Sequence, residues 1–495
     1  MSSETGTMTR EVRRLGILVL AMFVALFTST TIIQAVNAEA LGSDPRNTRA
    51  LYNSFSAERG QIIVQGLEVA LSVPSNDDYQ FQRQYPLGPM YAPVTGYFTL
   101  NQGNTGIEGA MNPELTGTAN SQFLRQLEAL LTGQDPKGSA VSLTISHAAQ
   151  AAAYEALGDR EGAVVAIDPA TGDVLTMVST PSFDPNVFAD HNSSAVIEAY
   201  NQMAADPSKP LQNRAIGGDL YHPGSVFKLV VAAAALESGD YTLDSEFDNP
   251  ATLQLPGSTS VIRNASRDTC GPGEQATLST AITLSCNIPF ALLASELGED
   301  AIREQAVKMG YGQRFDIPMA VSPSIYPEDM DSAQLMLSAF GQYDVRTTPM
   351  QIAMTTAAIA NGGTLMQPNL IDQVIAQDLS IVADPQPSRI GEAMSPATAE
   401  ALQEVMIEGV TSGIATNAAI SGVTVGGKTG TAENGLDANG QQRPFNLWFT
   451  GFGESNGQSV AVAVVVVPDA NVSGQTSNVV AAPIGKAVIE AVLNQ

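Results

Sequence analysis

The segment Tyr221-His-Pro-Gly-Ser-Val-Phe-Lys228 places a serine and a lysine three residues apart, directly after a proline and a glycine. The Ala- and Val-rich residues that follow predict a helix from Ser225 to Glu237 that ends near Gly239. Residues three apart on a helix share one face, so Ser225 and Lys228 are expected to lie side by side. Since a serine hydroxyl needs a neighbouring base to act as a nucleophile, the segment predicts that pair.

A Ser-x-x-Lys pair alone is common on exposed helices, where the serine caps the helix and the lysine is solvated. Two further motifs change that interpretation. They are Ser285-Cys286-Asn287, about sixty residues downstream, and Lys428-Thr429-Gly430-Thr431. The order Ser-x-x-Lys, Ser-x-Asn, Lys-Thr-Gly is the signature of the serine acyltransferases that include penicillin-binding proteins and β-lactamases. The chain therefore resembles that superfamily.

Further stretches of sequence make the resemblance more specific. They resemble class B penicillin-binding proteins, and in detail the short class B proteins of actinobacteria, over most of the chain after residue 45. The stretches are Asp168-Pro-Ala-Thr-Gly-Asp-Val-Leu175, Pro181-Ser-Phe-Asp-Pro-Asn186, Asn213-Arg214-Ala215, Thr348-Pro-Met-Gln-Ile-Ala353, Ala360-Asn-Gly-Gly363, Trp448-Phe-Thr-Gly-Phe452, Arg59-Gly60 and Gly103-Asn-Thr-Gly-Ile-Glu108. We assign Arg59 and Glu108 structural roles in the N-terminal part, and Trp448 to the core.

Local patterns predict the elements of the fold. Residues 162–179 read as a hairpin about the turn Asp168–Asp173, and Thr424–Ala432 and Val460–Val467 read as strands. Two helices are expected to begin at Thr348-Pro349, with Gly362 beyond the end of the first, and at Ser395-Pro396. Strands at both ends with helices between them indicate an α+β fold in which helices cover both faces of an antiparallel sheet. The resemblance implies the same penicillin-binding transpeptidase fold.

The chain divides into four predicted parts. Residues 15–33 (Leu15 to Ile33) form an uncharged apolar run that is long enough to span a bilayer. Arginines in the preceding tail, residues 1–14, favour a cytoplasmic N-terminus. A mixed pedestal domain is expected at 36–138, and the transpeptidase domain at 139–495, with the turn-rich segment Thr132–Ser139 as linker.

A cleaved signal peptide is the alternative to an anchor, because Val36-Asn37-Ala38 could serve as a cleavage site. The apolar run is long for a signal peptide, so we expect an uncleaved single-pass anchor. Either interpretation places the remainder of the chain outside the cytoplasm.

The only cysteines are Cys270 and Cys286. Outside the cytoplasm a disulfide between them would persist, and closing such a loop contributes roughly 3 kcal/mol in the chain-entropy model. Because Cys286 is the middle residue of Ser-x-Asn, the disulfide would also hold that loop. Two free buried thiols are the alternative. Two cysteines with no histidine nearby do not supply four ligands, which argues against a metal site.

Composition restricts the partners. A net charge of -27 over 495 residues argues against nucleic acid or an anionic membrane surface as a binding partner. Solubility in an exposed compartment explains the acidity, and salt adaptation is the alternative. The length suffices for two or more domains.

The resemblance implies a role for each motif residue. Ser225 attacks an amide or lactam carbonyl, and Lys228 accepts its proton. Burial and a second cation at Lys428 would lower the pKa of Lys228 enough for this. Ser285 relays a proton to the leaving amine. Asn287 either holds the substrate amide or orients Lys228.

The Lys-Thr-Gly strand is expected to bind the substrate. Lys428 supplies a cation and the hydroxyls of Thr429 and Thr431 contact a substrate carboxylate, while Gly430 lets the substrate lie close to the strand. The family implies an oxyanion hole made by the backbone N–H groups of Ser225 and Thr431. A triad built on His222 is disfavoured, since the chain has three histidines and no Gly-x-Ser-x-Gly elbow.

The sequence thus predicts a membrane-anchored D,D-transpeptidase that cross-links peptidoglycan stem peptides ending in D-Ala-D-Ala. It would be acylated by β-lactams and need no cofactor or metal. The segment between anchor and catalytic domain is too short for a glycosyltransferase domain. A separate membrane glycan polymerase is therefore the partner that the resemblance implies.

Two alternative functions are compatible with the same motifs. The first is a D,D-carboxypeptidase or β-lactamase, in which water resolves the acyl-enzyme. The N-terminal domain and anchor disfavour a free β-lactamase, and Glu237, Glu246 and Glu274 lie in no recognisable hydrolytic motif. The second is a non-catalytic β-lactam sensor or scaffold. The intact motifs disfavour a scaffold, and a tail of fourteen residues leaves no room for a cytoplasmic signalling part.

Overall fold

The structure, a computed structural model, describes residues 4–33, 57–119, 137–436, 440–468 and 474–494. The strands in these ranges are β1 (Ile62–Val64), β2 (Leu67–Pro74), β3 (Phe81–Gln84), β4 (Ala140–Leu143), β5 (Glu161–Ile167), β6 (Val174–Thr180), β7 (Glu246–Asp248), β8 (Thr252–Gln254), β9 (Val261–Arg263), β10 (Gln275–Thr277), β11 (Phe315–Asp316), β12 (Ala320–Val321), β13 (Thr364–Met366), β14 (Ile371–Ile375), β15 (Ile381–Ala383), β16 (Arg389–Glu392), β17 (Thr424–Ala432), β18 (Asn446–Ser455) and β19 (Gln458–Val467).

The helices of the same ranges are α1 (Glu4–Thr31), α2 (Gly88–Thr95), α3 (Gly106–Ala110), α4 (Asn112–Thr116), α5 (His147–Leu157), α6 (Ser193–Ala205), α7 (Lys228–Ser238), α8 (Leu278–Thr283), α9 (Ile288–Leu297), α10 (Glu299–Lys308), α11 (Ser332–Ser338), α12 (Pro349–Ala360), α13 (Pro396–Thr411) and α14 (Ser477–Leu493). Short 3-10 helices lie at Pro185–Val187, Gly224–Phe227 and Thr416–Ala418.

Helix α1 contains residues 15–31 of the predicted apolar run 15–33. Its residues Val12–Thr31 have a mean hydropathy of 1.8 and are long and apolar enough to cross a membrane. The possible cleavage site at 36–38 and most of the predicted linker, residues 132–136, lie outside the described residues.

A five-stranded antiparallel sheet forms the centre of the C-terminal part, in the order β17-β18-β19-β5-β6. The predicted hairpin is β5 and β6, and the predicted strands are β17 and β19. Helices α5 and α14 pack on one face, and α12 on the other. The expectation of an antiparallel sheet between helices is confirmed.

Strand β19 explains why the sheet carries helices on both faces. Side chains alternate along a strand, and here both sets are apolar and fully buried. Its even-numbered valines, Val460 to Val466, join the core beneath α5 and α14. Ala461, Ala463 and Val465 join the larger core on the opposite side. Alanines on that face let the backbone of α12 approach closely.

Both predicted helix starts are present. The Thr348 hydroxyl accepts a hydrogen bond from Gln351 N at 3.1 Å, and α12 begins at Pro349 and ends before Gly362. The Ser395 hydroxyl likewise accepts from Thr398 N at 3.3 Å at the start of α13. These caps satisfy amides that the first turn of a helix leaves without partners.

The pedestal is built on a six-stranded sheet in the order β15-β14-β4-β1-β2-β3. Strands β4, β14 and β15 follow residue 139 in the chain, and β4 pairs in parallel with β1 and antiparallel with β14. The sheet therefore draws on both sides of the predicted boundary and ties the pedestal to the C-terminal part through backbone hydrogen bonds.

A buried ion cluster holds the pedestal together. Arg59 Nε donates to Glu108 Oε2 at 2.5 Å and Arg83 Nε to Glu108 Oε1 at 2.6 Å, and all three side chains are inaccessible to solvent. Arg59 also donates to Asn112 Oδ1, and the Tyr85 hydroxyl donates to Glu108. Burial raises the pKa of Glu108, but Arg83 and Arg59 outweigh burial and hold the pKa below its ordinary value.

Replacing Glu108 by Gln should destabilise the protein by about 3–5 kcal/mol, because two buried guanidinium groups would lose their common anion. A fall in melting temperature measures the loss. The exposed Glu155→Gln on α5 serves as control and should melt like the unsubstituted protein. An unchanged melting temperature for Glu108→Gln would contradict the structural role of the cluster.

Candidate active site

The candidate nucleophile lies in a tight turn. Gly224–Phe227 forms a 3-10 helix that continues into α7, which ends at Gly239 in the left-handed conformation (φ 77°). The predicted helix is therefore present, but its first turn is 3-10 rather than α. In a 3-10 helix residues three apart eclipse each other, so Ser225 and Lys228 share one face. Ser225 is partly exposed and Lys228 is fully buried.

Distant segments hold this turn. The carbonyl oxygen of His222 accepts hydrogen bonds from Trp448 Nε1 at 2.9 Å and from Asn446 Nδ2 at 3.4 Å, both on β18. Gly224 N donates to Gly341 O at 3.0 Å. Trp448 is fully buried, as predicted for a core residue, and it also anchors the backbone just before Ser225.

The Ser-x-Asn loop is held in a strained conformation. Ser285 follows α8 with a positive φ of 59°, which costs a residue with a side chain about 1–3 kcal/mol. Backbone bonds from Ser285 N to Ile282 O and from Cys286 N to Ala281 O hold the turn. The predicted disulfide between Cys270 and Cys286 is present and tethers its middle residue.

Two buried lysines converge on Ser285. Lys228 Nζ donates to Ser285 O at 2.7 Å and to Asn287 Oδ1 at 2.8 Å. Lys428 Nζ donates to the Ser285 hydroxyl at 2.5 Å and to Thr429 O at 2.9 Å. The structure thus brings together one residue or more from each of the three sequence motifs.

Burial disfavours the charged form of both lysines. It lowers the pKa of Lys228 well below its ordinary value, and the nearby Lys428 ammonium lowers it further. Burial lowers the pKa of Lys428 to about 7. Both causes that the sequence suggested for Lys228 are present, and they favour a neutral amine that can accept a proton.

Three atoms of Asn287 form hydrogen bonds with other segments of the chain. Its Oδ1 accepts from Lys228, its Nδ2 donates to Arg263 O at 2.9 Å, and its backbone N donates to Asn264 Oδ1 at 2.9 Å. Of the two roles expected for Asn287, this geometry supports the orientation of Lys228. Asn264 lies in none of the motifs, so its contact with Asn287 was not predicted from the sequence.

Strand β17 runs beside the nucleophile turn. A side-chain carbon on Gly224 would come within 2.7 Å of Thr431 O, and one on Gly430 within 3.0 Å of Pro223 O, so both glycines permit this close approach. The Ser477 hydroxyl, at the start of α14, donates to Gly430 O at 2.5 Å and lies 3.0 Å from Thr431 Oγ1. Ser477 was also missed, and no motif marks it.

The side chain of His222 contacts a backbone carbonyl, whereas the histidine of a catalytic triad contacts a carboxylate. The Nδ1 atom of His222 lies 3.2 Å from Val345 O, and a carbonyl can only accept, so this nitrogen carries a proton. Burial and then Arg346 lower the pKa of His222. In a Ser-His-Asp triad the histidine Nδ1–H donates to a carboxylate, whereas in His222 it donates to a backbone carbonyl, so this contact supplies no acidic partner for a triad.

The family comparisons agree with this geometry. The model of the penicillin-binding protein transpeptidase domain matches residues 162–490, and that of the penicillin-binding protein A dimerisation domain matches residues 59–141. The chain belongs to the class B penicillin-binding proteins. The peptidoglycan D,D-transpeptidase PbpA of Mycobacterium tuberculosis is 38% identical over 492 residues, which are 98% of this chain and 99% of that protein.

Other relatives of this penicillin-binding protein also align over most of its length. PbpA of Mycolicibacterium smegmatis is 37% identical over 496 residues, 99% of this chain and all of that protein. Penicillin-binding protein A from M. tuberculosis, solved as a ceftriaxone acyl-enzyme complex, superposes with a TM-score of 0.85 at 37% identity and covers 89% of this chain and all of that one. The resemblance to short class B proteins of actinobacteria, which include mycobacteria, is confirmed.

Replacing Lys428 by Met should stabilise this penicillin-binding protein below pH 7 while impairing acylation. In the unfolded chain Lys428 titrates near its ordinary 10.5, against about 7 when folded, so a buried ammonium costs on the order of a few kcal/mol below pH 7. Between these pH values the unfolded state binds more protons, so the stability of the native protein rises with pH and the advantage of Met disappears.

Melting temperatures at pH 6 and pH 10 test this sign. The difference between Lys428→Met and the unsubstituted protein should be positive at pH 6 and shrink towards pH 10. The partly exposed Lys486→Met is the control and should show no such trend. A Lys428→Met protein that is less stable at pH 6 would contradict the assigned cost of burial.

Proposed function

We propose that this chain is a peptidoglycan D,D-transpeptidase that cross-links stem peptides through an acyl-enzyme on Ser225. The observation that carries the proposal is the convergence of Lys228, Lys428 and Asn287 around Ser285, next to a partly exposed Ser225. The homologues of this chain include peptidoglycan D,D-transpeptidases, and proteins of the same fold have been solved as β-lactam acyl-enzyme complexes.

Acylation begins with Ser225 attacking the carbonyl of the penultimate D-Ala, or of a β-lactam ring. Lys228 has two acceptors on its Nζ, Ser285 O and Asn287 Oδ1, which leaves its remaining position for the Ser225 hydroxyl. As a neutral amine it takes the hydroxyl proton as the bond to carbon forms. The backbone N–H groups of Ser225 and Thr431 stabilise the oxyanion in this proposal.

Collapse of the tetrahedral intermediate expels the terminal D-Ala. Its nitrogen needs a proton, and the Ser285 hydroxyl, hydrogen-bonded to Lys428, is placed to relay one. Lys428 and the Thr429 and Thr431 hydroxyls bind the carboxylate that D-Ala-D-Ala and β-lactams share. Lys428 replaces the proton that Ser285 gives up. An amine from a neighbouring stem peptide then attacks the acyl-enzyme carbonyl and loses a proton through Ser285 to Lys428, while the Ser225 oxygen leaves with the proton that Lys228 had taken, which completes the cross-link.

Hydrolysis would need a base held over a water, as the dedicated Glu of class A β-lactamases is. Glu237 accepts hydrogen bonds from Ser395 N at 2.9 Å and from the Ser395 hydroxyl at 2.6 Å, at the far end of α7. Glu246 and Glu274 are exposed to solvent. This arrangement of the three glutamates supports a long-lived acyl-enzyme that waits for an amine.

Replacing Ser225 by Ala should abolish covalent labelling by fluorescent penicillin and leave the melting temperature nearly unchanged. Mass spectrometry of the native protein should find the penicilloyl adduct on Ser225 for many minutes or longer. With a stem-peptide thioester and an amine acceptor, the product should be the amide. Labelling at another serine would contradict the assignment, rapid turnover of penicillin would favour a β-lactamase, and labelling without amide formation a sensor.

We further propose that α1 anchors the protein with its N-terminus in the cytoplasm and the catalytic part outside. The arginines before the apolar run support this orientation. The partition into tail (1–14), anchor (15–33), pedestal (36–138) and transpeptidase domain (139–495) belongs to the same proposal. A separate membrane glycan polymerase supplies the strands to be cross-linked.

Topology can be tested directly. A reporter fused to the C-terminus should be active only outside the cytoplasm, and a protein that begins near Ala40 should be soluble and still bind penicillin. Mature protein that starts at Glu39 would contradict the anchor and indicate a cleaved signal peptide.

A further inference from the structure

Asn264 contacts the Ser-x-Asn loop from a segment that carries no catalytic motif. It follows β9 and opens a turn in which Arg267 N donates to Asn264 O at 2.9 Å and Asn264 Nδ2 donates to Asp268 O at 3.0 Å. Its Oδ1 accepts from Asn287 N at 2.9 Å and from Ile288 N at 3.1 Å. The side chain is 3% exposed, so these bonds form away from solvent.

The helix that follows the motif explains why this contact is needed. Helix α9 begins at Ile288, and its first backbone N–H groups have no acceptor within the helix. An asparagine at the preceding position usually caps them with its own side chain. Asn287 makes no such cap, because its amide is bound to Lys228 and to Arg263 O. Asn264, from another part of the chain, instead accepts from the first N–H of the helix, Ile288 N, and from the N–H of Asn287 itself.

We propose that Asn264 is a positioning residue for acylation: it holds the backbone of Asn287 and so sets Asn287 Oδ1 against Lys228 Nζ. The proposal rests on the proposed function, since the reaction concerned is the attack of Ser225. Asn264 and the carbonyl of the preceding Arg263 together fix both the main chain and the amide of Asn287. The amide oxygen is left facing the lysine.

The effect should fall on the rate and not on affinity. Asn264 touches Asn287 and Ile288, and its contact with Lys228 is indirect, through Asn287. Loss of its grip would let the Asn287 amide turn, and Lys228 Nζ would lose one of its two acceptors. A base displaced by an ångström can slow a reaction by a factor of about 100.

Asn249 provides a matched control. It is also 3% exposed and lies in the same segment between Lys228 and Ser285. It makes three side-chain hydrogen bonds as well: Nδ2 to Cys270 O at 3.1 Å and to Gly273 O at 3.2 Å, and Oδ1 from Cys270 N at 2.6 Å. Its substitution removes as many buried bonds, but Asn264 still holds the backbone of residues 287 and 288, and the covalent disulfide still joins Cys270 to Cys286.

The experiment measures penicillin acylation by stopped flow, which separates the limiting rate from the dissociation constant. The variants are Asn264→Ala, Asn264→Asp and Asn249→Ala, and each melting temperature is recorded. Asn264→Ala should lower the limiting rate about tenfold or more and change the dissociation constant by less than about threefold. Asn264→Asp keeps an oxygen that accepts from both N–H groups but loses the donor to Asp268 O, so it should recover part of the rate. Asn249→Ala should lose similar stability and keep its rate.

Three results would overturn the proposal: an unchanged rate in Asn264→Ala, equal slowing in Asn249→Ala, or no recovery in Asn264→Asp. If Asn264→Ala does not fold, Asn264→Gln decides, because it retains the amide but displaces it by one methylene and should also be slow. An adduct on Ser225 of the unsubstituted protein is measured first. Its absence would contradict the proposed function itself, whereas a normal adduct with unaltered variant rates contradicts only the role of Asn264.

Discussion

The burial of two lysine side chains around one serine is the constraint on which the rest of the site depends. Burial disfavours the charged form of both Lys228 and Lys428, and repulsion by the Lys428 ammonium lowers the pKa of Lys228 further. Four acceptors remain for them: the Ser285 carbonyl and hydroxyl, Asn287 Oδ1 and Thr429 O. The arrangement costs stability, and in the proposed reaction the same lowering of the pKa lets Lys228 act as a base near neutral pH.

Keeping the lysines there requires a rigid frame on every side. The nucleophile turn is held by Trp448 and Asn446 of the sheet, and the Ser-x-Asn loop by a disulfide and by Asn264. The Lys-Thr-Gly strand is an edge of the central sheet, and the Ser477 hydroxyl donates a hydrogen bond to its Gly430 O. Each of the three motifs is thus held by residues outside it, a common requirement for sites that need accurate placement.

The pedestal uses a different solution to the burial of charge. Arg59 and Arg83 share one carboxylate, Glu108, so their charges are compensated by close contact and the carboxylate stays ionised. The lysines of the active site lack a buried anion among the partners described. The pedestal cluster thus compensates its charges, whereas the equally buried lysine cluster leaves its charges uncompensated, as the proposed reaction requires.

Local features of the sequence determined the order of the motifs, the β5–β6 hairpin, strands β17 and β19, and the starts of α12 and α13. The sequence also predicted the disulfide between Cys270 and Cys286 but left free thiols as the alternative, which the structure decides. Periodicity, caps and turn residues are short-range signals, so they can be read without the fold. The tertiary structure alone decided that Lys428, 143 positions from Ser285, reaches its hydroxyl. It also decided that the first turn at Ser225 is a 3-10 helix, that Asn264 binds the backbone of Asn287, and that strands from both sides of residue 139 form the pedestal sheet. These depend on contacts between segments far apart in the chain, which no local pattern encodes.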